Sequence, residues 1–218
     1  MAGLKVGVLI SGRGSNLQAL IEACAAPDFP AEIVTVISNV PDVAGLERAR
    51  LAGIPAETLD HRDFAARATF ETALSEILET AGADFVCNAG FMRVLTEAFV
   101  TRWLDRQINI HPSLLPSFPG LDTHARALAA GVKLHGCTVH YVRAEVDAGP
   151  IIGQAAVPVL PDDTEERLAA RVLEAEHQLY PRCLRLVAEG RVRVTGETTE
   201  VEELEPSGPL LINPGDPA

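Results

Sequence analysis

Short apolar runs that alternate with segments of helical period constrain this chain more than any other feature. Residues 5–10, 32–38, 84–88 and 107–110 read as buried strands, each a near-continuous stretch of apolar side chains. Residues 17–25, 43–51, 63–81 and 97–103 lie between or after them with apolar positions at helical spacing, and 123–130 follows the same pattern. Strands joined by crossovers of that length must run parallel, with helices on both faces of an open, twisted sheet. After Gly131 the rhythm changes: residues 137–142 and 151–159, joined by a loop of charged and glycine residues, read as an antiparallel pair. Residues 163–187 then read as one long helix, opened by Asp162, Asp163 and Thr164 and closed by Gly190. The expectation is a single α/β domain, mostly parallel, with antiparallel strands in its C-terminal part.

At 218 residues and 47% apolar composition the chain supports one well-buried core. That core is expected over residues 1–193, leaving 194–218 as a loosely packed tail rich in Glu, Pro and Gly. No apolar run approaches the roughly 18 residues that cross a bilayer, and residues 6–10 are too short a run for a secretory signal. The chain therefore reads as cytoplasmic, without a membrane partner. Its net charge of −12 opposes a phosphate backbone, so nucleic acid is not an expected partner either. An anionic ligand would have to be held by local devices such as helix N-termini and single arginines. Cys24, Cys87, Cys137 and Cys183 stand apart without C-x-x-C spacing, which suits buried free thiols in a reducing compartment. His135 and His140 are five apart and face opposite sides, a poor metal pair, so no metal is expected.

Three segments carry chemistry. Ser11-Gly12-Arg13-Gly14-Ser15-Asn16 follows the first strand and opens the first helix, where free N–H groups and the helix dipole favour a phosphate. It lacks the Gly-Lys-Ser/Thr of a P-loop and the third glycine of a dinucleotide fingerprint, so on its own it reads equally well as a tight turn capped by Ser15 or Asn16. Asn109 and His111, two apart on a strand, project from one face and are expected to point together into a cleft beyond the strand end, and Asp147 lies in Glu145-Val146-Asp147-Ala148-Gly149-Pro150. Each alone is ordinary polar or turn chemistry. Together they suit attack of an amine on a carbonyl: Asn109 and a protonated His111 donate to the oxygen that becomes negative, and Asp147 favours and orients the imidazolium. Arg93, within Gly90-Phe91-Met92-Arg93-Val94-Leu95, borders an apolar wall supplied by Val94 and Leu95 that suits a flat aromatic ligand, although the same residues could simply pack the next helix. No Gly-x-Ser-x-Gly is present and no cysteine has a matched base, which disfavours a covalent nucleophile.

At these residues the chain resembles the phosphoribosylglycinamide formyltransferase family, folate-dependent enzymes of purine synthesis with a Rossmann-like fold. The resemblance runs over about residues 5–193 and is carried by the blocks 8–17, 45–49, 89–95, 109–116 and 176–181, in that order. It implies transfer of a formyl group from 10-formyltetrahydrofolate, a co-substrate, to the glycinamide amine, with small-molecule partners only, and a monomer or homodimer. It also implies that Gly14, Ser15, Asn16 and Glu176 serve the ribonucleotide. Arg67, Met92, Arg93, Val94, Leu95 and Asn109 would serve the folate, and Asn109, His111 and Asp147 would be catalytic. One departure stands out: Asp122 replaces a second histidine carried by many relatives, which puts any supporting role of that imidazole in doubt. A methionyl-tRNA formyltransferase, which would call for a basic C-terminal domain, and a formyltetrahydrofolate hydrolase are the alternatives.

Overall fold

The computed structural model describes residues 3–202. The chain runs β1 (Leu4–Ile10), α1 (Ser15–Cys24), β2 (Ala31–Ser38), α2 (Ala44–Leu51), β3 (Ala56–Thr58), α3 (Arg67–Thr80), β4 (Phe85–Asn88), α4 (Glu97–Arg102) and β5 (Gln107–His111). It continues through α5 (Thr123–Ala130), β6 (Leu134–Tyr141), β7 (Ile151–Pro158) and α6 (Glu165–Ala188) to a hairpin of β8 (Val192–Thr195) and β9 (Thr198–Val201). The first seven strands form one sheet in the order β3-β2-β1-β4-β5-β6-β7. Pairing is parallel from β3 to β5 and antiparallel from β5 through β7.

Alternation along the strands divides the core into two layers. Val6, Val8, Ile10, Cys87, Ile108 and Ile110 pack with α1, α2, α5 and α6 on one face. Leu9, Ile37 and Val86 pack with α3 and α4 on the other. Both faces of the parallel strands are therefore buried, as their continuous apolar composition requires. The order reverses between β1 and β4, so the loops leaving those strands diverge and open a crevice there.

Several expectations are adjusted. β3 was not anticipated; its three residues, half-buried to exposed, carry too little apolar signal. α3 starts at Arg67, since residues 61–63 form a separate 3-10 turn whose Asp60 side chain accepts from Arg62 N–H. Gly14, in a left-handed conformation, caps α1 without any side-chain bond, so neither Ser15 nor Asn16 is the cap. α6 has the anticipated start, with the Thr164 side chain accepting from Arg167 N–H. The tail expected from residue 194 begins inside the β8–β9 hairpin, where alternating half-buried residues pair and the Thr199 hydroxyl bonds the Ile151 carbonyl. Residues 203–218 of that tail lie outside the described residues.

Candidate active site

The turn after β1 is built from backbone. Gly14 adopts φ +69, and a Cβ there would lie 2.7 Å from Gly45 Cα, so α2 and the turn touch main chain to main chain. Gly45 N–H donates to Gly12 O at 3.1 Å, and Arg48 Nε donates to Arg13 O at 3.0 Å. The N–H groups at the start of α1 are left for a ligand, in the geometry that favours an anion. Asn16 is buried, and its Nδ2 donates to Glu176 Oε2 at 2.7 Å, while its Oδ1 has no partner. Burial pushes the Glu176 carboxyl up, partly offset by the Asn16 hydrogen bond. One turn along α6, the buried Tyr180 hydroxyl donates to Asn88 O at 2.9 Å and reaches Ile108 O at 3.3 Å, anchoring that helix across β4 and β5.

The loops after β1, β2 and β4 are stitched together. Ser11 N–H donates to Gly90 O at 3.1 Å, Met92 N–H donates to Ser11 Oγ at 2.8 Å, and Ser11 Oγ donates to Asn39 Oδ1. Asn39 in turn contacts His61. From α3, buried Glu71 accepts from Thr96 N–H at 2.9 Å and from its hydroxyl, which closes the segment 91–96. Within it Met92 and Val94 are exposed, Arg93 is half-buried with an unpartnered Nε, and Leu95 faces the second core. The apolar wall is thus Met92 and Val94, with Leu95 supporting it from below. Arg67 stands exposed at the first residue of α3, outside this hydrogen-bonded cluster.

Asn109 and His111 do not point beyond the strand end. Because Ile108 and Ile110 face the first core, Asn109 and His111 project from the opposite face, where α3 and α4 cover only β1, β2 and β4. Over β5 and β6 that face is roofed by loops 112–122 and 142–150. Leu115 N–H donates to Thr138 Oγ1 at 3.0 Å, and the Leu115–Pro116 bond is cis. Gly120 N–H donates to Asp147 Oδ2 at 2.8 Å, joining the two loops.

Under this roof His111 Nδ1 lies 3.3 Å from Asp147 Oδ2, and His111 Nε2 lies 3.1 Å from Phe118 O. Both ring nitrogens thus face oxygen acceptors. The antiparallel register places His140 opposite Asn109, with Asn109 Nδ2 3.2 Å from His140 Nε2. His140 is buried, which lowers its pKa, and its Nδ1 faces Tyr141 O at 2.9 Å. A neutral ring with its proton on Nδ1 then accepts from Asn109 Nδ2, orienting the amide and leaving its second hydrogen for the cleft. Asp147 Oδ1 is 3.7 Å from His140 Nε2, too far for a hydrogen bond. His140 is a member of the site that sequence reasoning missed; the signal lay in the β5–β6 register, which spacing alone does not show. Asn39 and Glu71 were missed because their bonds, to Ser11 and to Thr96, join segments far apart in the chain.

Asp122 sits at the start of α5 with φ +55, and its side chain forms no cap bond. Behind the roof, on the first-core face, His124 and His135 meet edge to face at 5.3 Å, each with one buried ring nitrogen unpartnered. Burial, reinforced by the His124 and His111 imidazoles, holds His135 down at about 4. His135 and His140 share β6 but face opposite sides, as their spacing implied. Among the described residues no group of three or more His, Cys, Asp or Glu is placed to hold a metal, and no helix is long and apolar enough to cross a membrane.

Residues 4–184 match the sequence family described as formyl transferase. The phosphoribosylglycinamide formyltransferase of Escherichia coli K12 is 46% identical over 191 residues, which is 88% of this chain and 90% of that enzyme. The bovine trifunctional purine biosynthetic protein adenosine-3 is 54% identical over 190 residues; the match takes in 87% of this chain but spans only 19% of that protein. The crystal structure of glycinamide ribonucleotide transformylase 1 from Symbiobacterium toebii superposes with a TM-score of 0.91 at 48% identity, covering 93% of this chain and 95% of that one.

Proposed function

The chain belongs to the formyl transferase family, and from that premise we infer that it formylates the amine of 5'-phosphoribosylglycinamide in purine biosynthesis, with 10-formyltetrahydrofolate as donor. The observation that carries this reading is the convergence of Asn109, His111 and Asp147 on one face of the sheet beneath two loops, in a chain that also carries the anion-ready turn at Gly14, Ser15 and Asn16. Relatives matched over nine-tenths of their length bear the name of this activity, which disfavours methionyl-tRNA or water as the acceptor.

The donor supplies an activated formyl carbon. Its flat ring system fits the strip of exposed Met92 and Val94 beside Arg93, whose buried Nε has no protein partner. Gly14, Ser15 and Asn16 hold the phosphate end of the acceptor, and Glu176, fixed by Asn16, lies beside them. These contacts align the amine with the formyl carbon, which is where most of the acceleration of a two-substrate reaction originates. As the amine attacks, the Asn109 amide and His111 donate to the oxygen that becomes negative. His111 must exchange its Phe118 carbonyl partner for that oxygen, so proton donation is coupled to the seating of loop 112–122. Asp147 stabilises the imidazolium and can take up the proton that the attacking amine loses; the tetrahedral intermediate then collapses with cleavage of the bond from the formyl carbon to the folate nitrogen, which leaves with that proton, giving the formylated amine and tetrahydrofolate. A thiol intermediate is disfavoured: burial pushes Cys24, Cys137 and Cys183 up to about 12, and Cys87 up as well.

Mixing the protein with 10-formyltetrahydrofolate, with and without the ribonucleotide amine, and following folate absorbance tests this function. Release that requires the amine is expected. Release at the same rate without it would establish water as the acceptor and overturn the reading.

A further inference from the structure

Asp147 is carried by a connection that has little regular structure of its own. It sits at φ +55, in the left-handed region that Asp enters more readily than most side-chain-bearing residues. At the base of the connection Tyr141 N–H donates to Pro150 O at 2.8 Å. The Gly149 main chain lies so close to Tyr141 that a Cβ would fall 1.8 Å from the Tyr141 carbonyl oxygen and 3.1 Å from Arg143 Cγ. The Arg143 stem is thus packed against the returning limb, two residues from Asp147.

The Arg143 guanidinium reaches outward from that position. Its Nη2 donates to Asp105 Oδ1 at 2.9 Å, in the turn after α4, and its Nε donates to Glu197 Oε2 at 3.1 Å, in the turn between β8 and β9. A third bond, from Nη1 to Val142 O at 3.2 Å, returns to its own connection. The Arg143 side chain is 15% exposed, against 44% for Asp105 and 70% for Glu197. Pairs whose acidic partner is this exposed contribute little to global stability. Their geometric role is larger, because they lock one forked cation between elements on either side of the connection. The hairpin is itself tied to the first residue of β7 through Thr199 and Ile151.

We propose that Arg143 is a positioning residue for turnover, setting the placement of Asp147 against His111 by pinning the β6–β7 connection to the α4 turn and the C-terminal hairpin. This rests on the proposed role of Asp147. A misplacement of about 1 Å in a catalytic group can cost up to about a hundredfold, so partial release of the connection is expected to cost about tenfold in kcat. The phosphate turn lies elsewhere and should bind as before.

The test measures kcat, both KM values and the kcat–pH profile of the full chain, its R143A and R143K variants and the D105N/E197Q double variant. Active sites are counted with a tight-binding folate analogue. R143A is expected to lose about tenfold in kcat per titrated site with the ribonucleotide KM within about twofold, and the limbs of its pH profile should move. Arg143→Lys should recover only part, since an ammonium cannot span both carboxylates. The double variant should change kcat in the same direction. Unchanged kcat per site in R143A, or a loss explained entirely by fewer titrated sites, overturns the proposal. If R143A does not fold, the double variant decides on the same terms. A wild type inactive with this amine overturns the functional reading and the proposal together, whereas an active wild type beside an unaffected R143A overturns the proposal alone.

Discussion

The turn after β1 is held main chain against main chain, with Gly14 on Gly45, whereas the Asn109–His111–Asp147 cluster is held side chain to side chain across two strands and two loops. The first arrangement is local and rigid and leaves N–H groups aimed outward, which suits a static anion. The second distributes its parts over residues 109–147, with Asn109 and His111 on β5 and Asp147 on the β6–β7 connection, so each group is set by neighbours distant in the chain. On the proposed roles, binding and chemistry fall on differently built parts of one sheet, the first among parallel strands and the second where β5 meets antiparallel β6.

If the division is right, damage to the two halves separates in kinetics. Asp147→Asn should have the largest effect, a fall in kcat of about 10²–10⁴-fold with ribonucleotide affinity retained. Calorimetry showing lost affinity with normal turnover per complex would erase the distinction. Gly14→Ala comes next: at φ +69, with a Cβ 2.7 Å from the Gly45 backbone, it should destabilise by about 1–3 kcal/mol and raise the ribonucleotide KM. Denaturant unfolding together with steady-state kinetics checks both, and a wild-type midpoint would remove the case for a backbone-built turn. Asn16→Ala removes a hydrogen bond to a buried carboxylate and should raise the ribonucleotide KM about tenfold while sparing the folate KM. An equal rise in both would show that the halves are not separable.

The smallest effect on turnover concerns His135 behind the roof. Its folded pKa of about 4 lies below the ordinary 6.5, so the unfolded chain takes up this proton first as pH falls. Stability from this group is full above about 6.5 and declines as pH drops toward about 4, with no further loss below. The total is on the order of 3 kcal/mol, since each pKa unit corresponds to about 1.4 kcal/mol. Urea midpoints measured across that range should fall less steeply for His135→Gln than for the wild type, and parallel slopes would exclude His135 as the source.

Much of this was legible in the chain because it is local. Four parallel strands follow from short apolar runs, α6 from its Thr164 cap and Gly190 stop, and the anion-ready turn from its place between strand and helix. Three-residue β3 and the β8–β9 hairpin escaped because short, half-exposed strands carry almost no periodic signal. His140 escaped for another reason: its role arises from its position opposite Asn109 and is invisible in spacing. Leu95 was placed on the ligand wall, yet its side chain turns into the second core, since one residue of rotation decides which way a loop side chain faces.

The sequence by itself determined the doubly wound parallel sheet, the helix boundaries with side-chain signals, and the identities of Asn109, His111 and Asp147, because period, capping and residue chemistry act over a few neighbouring positions. Packing of the complete fold was needed to show that those three meet on a sheet face and not beyond a strand end, that neutral His140 bonds Asn109, and that Arg143 ties the connection carrying Asp147 to Asp105 and Glu197. Such facts depend on strand register and on loops crossing one another in space, and those follow from the packing of the whole chain.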